Sequence, residues 1–255
     1  MKKNFILASL FGICCQLLSL TTVSAQQTNT KKSFAQWCQQ KSSVPTATKQ
    51  TIDALLERAG TQNCQQADAK LSSLSELYLS DRHISDVRPL ASLTNLKALF
   101  LNSNQISDIS PLASLTNLKG LDLNANQISD ISPLADLTNL NTLFLNSNQV
   151  SNVKPLGGLA NLAYLEIFNN QISDVKPLGR LTNLKSLDLN SNQISDIRPL
   201  ANLTKLTDLR LSKNKISNVK PLAKLANNLT DLYLRHNQIG ERECPVKPES
   251  CRFDI

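Results

Sequence analysis

Two carboxylates, Glu166 and Asp188, stand at equivalent positions in successive copies of a repeated motif, and they are the pair in this sequence best placed to do chemistry. If their segments pair in register as neighbouring strands, the acids stand one strand step apart, about 5 Å. Retaining glycosidases hold a nucleophile and an acid–base at about that separation, so a carbohydrate-active enzyme is one reading of the pair. The same register, however, gives that spacing to any two acids in one column. Arg210, at the same position one copy further on, is set to pair with Asp188. No inserted loop is available to build a pocket or exclude water, as a catalytic centre requires. A solvated charge ladder accounts for the pair better.

Other chemistry is weaker still. Asp86, Asp108, Asp130, Asp174 and Asp196 recur as a column that invites a calcium reading, but Ile or Val follows each, and Asn152 and Asn218 replace the acid in two units. Local capping of the following turn explains acid and amide alike. Cys38, Cys64, Cys244 and Cys251 include no Cys-x-x-Cys pair, and neither His83 nor His236 stands near two cysteines, which disfavours zinc. There is no P-loop, His-Glu-x-x-His, nucleophile elbow or glycine-rich nucleotide motif. The expectation is no catalytic residue, no cofactor and no metal. Two sequons, Asn202-Leu-Thr204 and Asn228-Leu-Thr230, are products of the repetition described next.

The elements that must position these residues repeat. The 255-residue chain holds 45 leucines and 26 asparagines but 11 aromatics, a composition that points to one short motif written many times. From Leu74 the motif recurs with a fixed period, opening at Leu74, Leu96, Leu118, Leu140, Leu162, Leu184, Leu206 and, after a step longer by a single residue, Leu229. Around Leu121-Asp122-Leu123 the alternation is that of a short strand with its leucines on one face. Asn126 recurs as Asn104, Asn148, Asn170, Asn192, Asn214 and Asn237, where a buried amide can satisfy turn backbone in neighbouring coils. Seven prolines, Pro89, Pro111, Pro133, Pro155, Pro177, Pro199 and Pro221, share one column and predict a 3₁₀ turn at the start of each return segment. No unit can bury its leucines alone; stacking makes the core.

The pattern Asn-x-Ile-Ser-Asp-Ile-x-Pro-Leu-Ala-x-Leu-Thr-Asn-Leu resembles the 22-residue leucine-rich repeat of bacterial internalin-type proteins, over about Leu74 to Gly240. The resemblance implies an α/β leucine-rich-repeat solenoid, with a concave parallel sheet and a convex side of 3₁₀ turns and loops. Cell-surface internalins carry an immunoglobulin-like module and a wall-anchoring tail after the repeats. Neither is read in this sequence, so a role in host-cell invasion is not carried over.

An open solenoid needs caps. Thr48 to Ala59 has helical spacing and stops at Gly60, which predicts a helical N-terminal cap bracketed by Cys38 and Cys64. Cys244 and Cys251 enclose a short C-terminal turn. Four cysteines allow three pairings. Eight strands at about 4.8 Å spacing separate the caps by roughly 34 Å, too far for a disulfide between them. Cys38–Cys64 and Cys244–Cys251 remain, worth about 3.5 and 2.5 kcal/mol by loop-closure arithmetic.

With the leucines inward, the residues between them face out on the concave sheet. The central outward column reads Tyr78, Phe100, Asp122, Phe144, Glu166, Asp188, Arg210 and Tyr233. Tyr164 and Phe168 lie in the columns beside it. All six aromatics of the repeats fall in these columns and none takes a leucine position. Strand propensity and mutual packing explain aromatics in strands, but not their exclusion from the inner face. Exposed aromatics on a rigid sheet are what recognition surfaces use. The expected partner-binding set is therefore Tyr78, Phe100, Phe144, Tyr164, Glu166, Phe168, Asp188, Arg210 and Tyr233, centred on Phe100, Phe144, Tyr164 and Phe168. A protein is the expected partner and a glycan the lesser one. The alternatives are the enzyme and a purely structural envelope component. The residue before each proline is Arg88, Ser110, Ser132, Lys154, Lys176, Arg198 and Lys220 in turn, a basic flank read as a solvated face.

Met1-Lys2-Lys3, the apolar run Phe5 to Leu20 and Val23-Ser24-Ala25 read as a signal peptide cut after about Ala25. The polar Gln16, Ser19, Thr21 and Thr22 cut the run short of a membrane span, and Ile13 before Cys14 argues against lipidation. The expected organisation is signal peptide 1–25, linker and helical cap 26–73, eight repeats 74–240 and C-terminal cap 241–255. The mature protein, net +5, is expected to be a secreted or periplasmic monomer that does not bind nucleic acid.

Overall fold

The computed structural model describes residues 32–240 and 244–253; the segment read as a signal peptide lies outside the described residues. Three helices come first: α1 (Phe34–Gln39), α2 (Thr46–Ala59) and α3 (Cys64–Ser72). Helix α2 covers the expected helix and ends at Gly60, whose φ of 64° is left-handed and lets its N–H bond back to the Leu56 and Glu57 carbonyls. Helices α1 and α3 go beyond the expected cap, because each is short and has no long apolar period. Their caps are nonetheless written in the sequence: a reciprocal Ser33–Gln36 capping box starts α1, and the Asn63 side chain accepts from the Gln65 and Gln66 N–H groups to start α3.

Nine strands follow in one parallel sheet, each paired with the next in chain order. They are β1 (Glu76–Tyr78), β2 (Ala98–Phe100), β3 (Gly120–Asp122), β4 (Thr142–Phe144), β5 (Tyr164–Glu166), β6 (Ser186–Asp188), β7 (Asp208–Arg210), β8 (Asp231–Tyr233) and β9 (Cys251–Arg252). The central leucines pair in register, Leu77 with Leu99, Leu99 with Leu121 and onward, and none is more than 2% exposed. Each leucine gains its roughly 2 kcal/mol of burial only when the next coil covers it, so the coils stabilise one another rather than themselves.

Asparagine is the second structural residue. Buried Asn126 accepts the Ile106 N–H at 3.0 Å and donates to the carbonyls of Leu101 and Leu123, each at 3.0 Å, stitching one coil to the last. Asn104, Asn148, Asn170, Asn192, Asn214 and Asn237 repeat this bonding. The residue before each amide (Ser103, Ala125, Ser147, Asn169, Ser191, Lys213, His236) is held left-handed, at φ between 52° and 57°. That conformation costs a non-glycine residue about 1–3 kcal/mol, and the ladder offsets it. Another set, Asn117, Asn139, Asn161 and Asn183, reaches back to a carbonyl of the preceding coil, and Asn95 reaches the Ser72 carbonyl at the end of α3.

Each return segment begins with a 3₁₀ turn carrying proline, as the column of prolines predicts. The N–H before each proline donates to the side chain two residues earlier, at 2.8 to 3.0 Å, whether that is Asp86, Asp108, Asp130, Asp174 or Asp196, or Asn152 or Asn218. The aspartate column is thus a capping column.

The first coil is closed by α2. Fully buried Thr48 donates to Asp86 at 2.5 Å, Arg88 donates to both Asp86 and Thr48, and Thr51 donates to the Asp86 carbonyl. Arg88 also lies 5.4 Å from the Trp37 ring. The last coil is closed by β9, a strand with no sequence period to announce it, which pairs Leu232 with Cys251 and Tyr233 with Arg252. The disulfides are Cys38–Cys64 and Cys244–Cys251, with Cα separations of 5.6 and 5.9 Å.

Candidate recognition face

Every residue of the expected set lies on the concave side of the sheet. The central column runs unbroken through the register pairs Tyr78–Phe100, Phe100–Asp122, Asp122–Phe144, Phe144–Glu166, Glu166–Asp188, Asp188–Arg210 and Arg210–Tyr233. Tyr164 pairs with Thr142 in the row beside it. Tyr78 and Tyr164 are exposed, at 50% and 41%, whereas Phe100, Phe144, Phe168 and Tyr233 are half-buried. Part of that cover is mutual. The Tyr78 and Phe100 rings stack with centroids 4.5 Å apart and planes 3° from parallel. Tyr78 also donates its hydroxyl to Glu76 at 2.7 Å, a bond that holds its pKa above the ordinary value.

Asn102, Asn124, Asn146 and Asn190, which share the third outward column with Phe168, serve the sheet. The buried ladder amides take strand carbonyls that the third-column N–H groups would otherwise use, so these N–H groups turn to side chains. Asn146 donates its N–H to Asn124, Phe168 to Asn146 and Ser212 to Asn190. Asn124 and Asn190 donate theirs to Asp122 and Asp188. These amides are thus engaged within the sheet, and the outward chemistry of the face lies mainly in its aromatic and charged side chains. Nothing in the sequence distinguishes these amides from ligand contacts, because the competition for carbonyls arises only once coils stack.

Glu166 and Asp188 are register neighbours, yet their surroundings differ. Asp188 is buried, and desolvation, helped by the Glu166 and Asp208 charges, pushes its carboxyl up to about 6 against the pull of the Asn190 N–H and Arg210. Glu166 is half-buried, with one oxygen accepting from the Asn146 amide at 2.8 Å. The cavity at this point, about 260 Å³, is lined by Phe168, Asp188, Asn190, Ser191, Ser212 and Lys213. It is smaller than the usual small-molecule site, and Glu166 is not among its walls.

Arg210 binds Asp208 at 3.0 Å and lies 5.2 Å from the Tyr233 ring. On the flank, Arg88 and Arg198 are held by their own Asp86 and Asp196. Lys154, Lys176 and Lys220 carry the remaining exposed charge of that column. Among the described residues no group of three His, Cys, Asp or Glu is placed to hold a metal ion, and no helix is long and apolar enough to cross a membrane.

Coils of one parallel strand, an asparagine ladder and a proline-led 3₁₀ return define a leucine-rich-repeat solenoid presenting a concave face. Sequence signatures for leucine-rich repeats match residues 72–114, 116–158, 160–202 and 226–241. Internalin C2 of Listeria monocytogenes superposes with a TM-score of 0.73 at 37% identity, over 79% of this chain and 91% of that one. A further internalin of the same species gives 0.65 at 32% identity, over 81% and 70%. A leucine-rich-repeat protein of Leptospira interrogans gives 0.61 at 26% identity, over 74% and 57%. No curated protein matches the sequence. The chain belongs to the internalin-type leucine-rich-repeat family. It is a leucine-rich-repeat recognition module of that family.

Proposed function

We propose that the centre of recognition is Phe100, Phe144, Tyr164 and Phe168 with Glu166, framed by Tyr78 on one side and Asp188, Arg210 and Tyr233 on the other. One observation carries this reading. All six aromatics of the repeats stand on the concave face, while the inward positions flanking them on the strands are all leucine or isoleucine. A purely structural sheet has no reason to sort them so. Rigid rings on a preformed sheet lose little entropy on binding and supply the anchors of protein interfaces. We also infer export through a signal peptide ending near Ala25, since the basic start, apolar run and small residues stand in that order.

The test is capture of partner from envelope or culture extract by the mature protein, beside Phe100→Ala/Phe144→Ala/Phe168→Ala. All three rings lie outside the leucine core, so the variant is expected to fold with an unchanged circular dichroism spectrum and to lose at least tenfold in capture. Undiminished capture by the folded variant overturns the assignment.

A further inference from the structure

The concave face is charged oppositely to the chain that carries it. Its three columns hold Glu76, Asp122, Glu166, Asp188, Asp208 and Asp231 against Arg210 and Arg235, with no lysine, in a protein of net charge +7. Toward the C-terminal end these acids are answered. Arg210 meets Asp208 at 3.0 Å and Asp188 at 3.9 Å, and Arg252 meets Asp231 at 3.9 Å. At the other end Glu76 takes the Tyr78 hydroxyl. Asp122 and Glu166 have no cationic partner among the described residues.

These two unanswered acids flank one aromatic. Asp122 and Glu166 are the register neighbours of Phe144 on either side. One oxygen of each is used within the sheet, by the Asn124 N–H at 3.0 Å and the Asn146 amide at 2.8 Å, and the other oxygen meets no donor among the described residues. Gly120 keeps the space beside Asp122 open: a Cβ there would meet nothing nearer than the Ala98 Cβ at 3.9 Å. Desolvation and the neighbouring Glu166 charge hold the Asp122 carboxyl above its ordinary value, the mark of an acid lacking a counter-charge.

Resting on the reading of the concave face as the partner surface, we propose that Asp122, Phe144 and Glu166 form a subsite for a cationic side chain of the protein partner, arginine foremost. Two strand steps put the carboxylate-bearing residues about 9.6 Å apart. That leaves room for a guanidinium lying on the Phe144 ring to donate to an acid on each flank at about 2.8 Å. The ring face adds cation–π attraction, and the planar, weakly hydrated arginine head suits such a stacked site better than a lysine ammonium. The same sheet already shows this arrangement with its own residues, in the Arg210 guanidinium held between Asp208 and the Tyr233 ring.

The test is an NMR titration of isotope-labelled mature protein with N-acetyl-arginine amide, and with N-acetyl-citrulline amide as its neutral isostere. Saturable shifts confined to strands β3 to β5 are expected with the arginine probe, at least tenfold weaker with citrulline. Asp122→Asn/Glu166→Gln, which keeps both acceptor oxygens used within the sheet, is expected to weaken arginine binding at least tenfold. Equal response to the two probes, no saturable shift, or undiminished binding by the double variant overturns the subsite. Partner capture separates this from the broader reading: loss in the triple phenylalanine variant but not in Asp122→Asn/Glu166→Gln rejects the subsite and leaves the face standing. No loss in either variant rejects both.

Discussion

Arg210 is the register neighbour of Asp188, yet its guanidinium comes no closer than 3.9 Å and makes its short contact with Asp208 instead. Asp188 is left desolvated at 6% exposure with its counter-charge held at 3.9 Å. The ionised form is penalised, so the residue that looks most like a catalytic acid owes its raised pKa to burial in the sheet.

A pH dependence follows. The Asp188 carboxyl titrates near 3.8 when unfolded and at about 6 in the fold. Between those values the folded protein holds a proton that the unfolded chain has released, so stability falls as pH rises through the window and is flat above it. Full expression of the difference is about 3 kcal/mol. Asp188→Asn, which still accepts the Asn190 N–H, is expected to gain about 1–3 kcal/mol over wild type at pH 7.5 and little at pH 4. Urea unfolding of both proteins at the two pH values measures this; a gain equal at both would reject it.

The asparagine columns are expected to differ in weight. Asn126→Ala orphans the buried Ile106 N–H, takes one of two amide donors from each of the Leu101 and Leu123 carbonyls, and is expected to cost about 2–3 kcal/mol. Asn117→Ala removes one exposed bond to the Thr94 carbonyl, worth about 0.5–1.5 kcal/mol. Similar unfolding midpoints for the two variants would contradict the ladder's role.

Two glycines of neighbouring 3₁₀ turns should respond unequally. A Cβ at Gly179 would lie 2.6 Å from the Pro199 carbonyl oxygen, whereas one at Gly158 would meet nothing within 4 Å. Gly179→Ala is expected to cost about 1–3 kcal/mol by overpacking, and Gly158→Ala to stay within about 0.5 kcal/mol. Thermal melts of the pair decide it.

The N-terminal latch is expected to be hydrogen-bonded rather than merely apolar. Burial pushes the Asp86 carboxyl up, but bonds from Arg88 and Thr48 outweigh it and hold the pKa below the ordinary value. This contribution is present at neutral pH and lost as pH falls through the folded pKa. Thr48→Val is expected to cost about 1–3 kcal/mol and to speed amide exchange in α2 and β1 ahead of the central coils. Uniform exchange across the chain would rule out a separable latch.

The regular recurrence of Leu121 in all eight units, and of Asn126 and Pro133 in seven each, is enough to read the coil, its inward face and its turns. Each is set by local period and backbone chemistry, and eight copies average out the ambiguity of any one. The disulfide pairing is legible for the same reason, since the stack's length forbids contact between caps. The set of residues facing the concave side is legible too, because strand alternation alone decides it.

What each of those residues does is decided only by stacking. Helices α1 and α3 and strand β9 are too short to carry a period and exist because the end coils need cover. The left-handed residues before the ladder are serine, alanine, asparagine, lysine or histidine, with no common side chain to read. Arg88 and Arg198 lose their place in a basic flank to their own aspartates. The third-column asparagines become sheet bonds once the ladder takes the strand carbonyls. Asp122 and Glu166 are left unanswered because the arginine of their column, Arg210, stands further along the sheet beside Asp188 and Asp208. These outcomes depend on which donor reaches which acceptor between one coil and the next, and that is a property of the folded stack rather than of any stretch of chain.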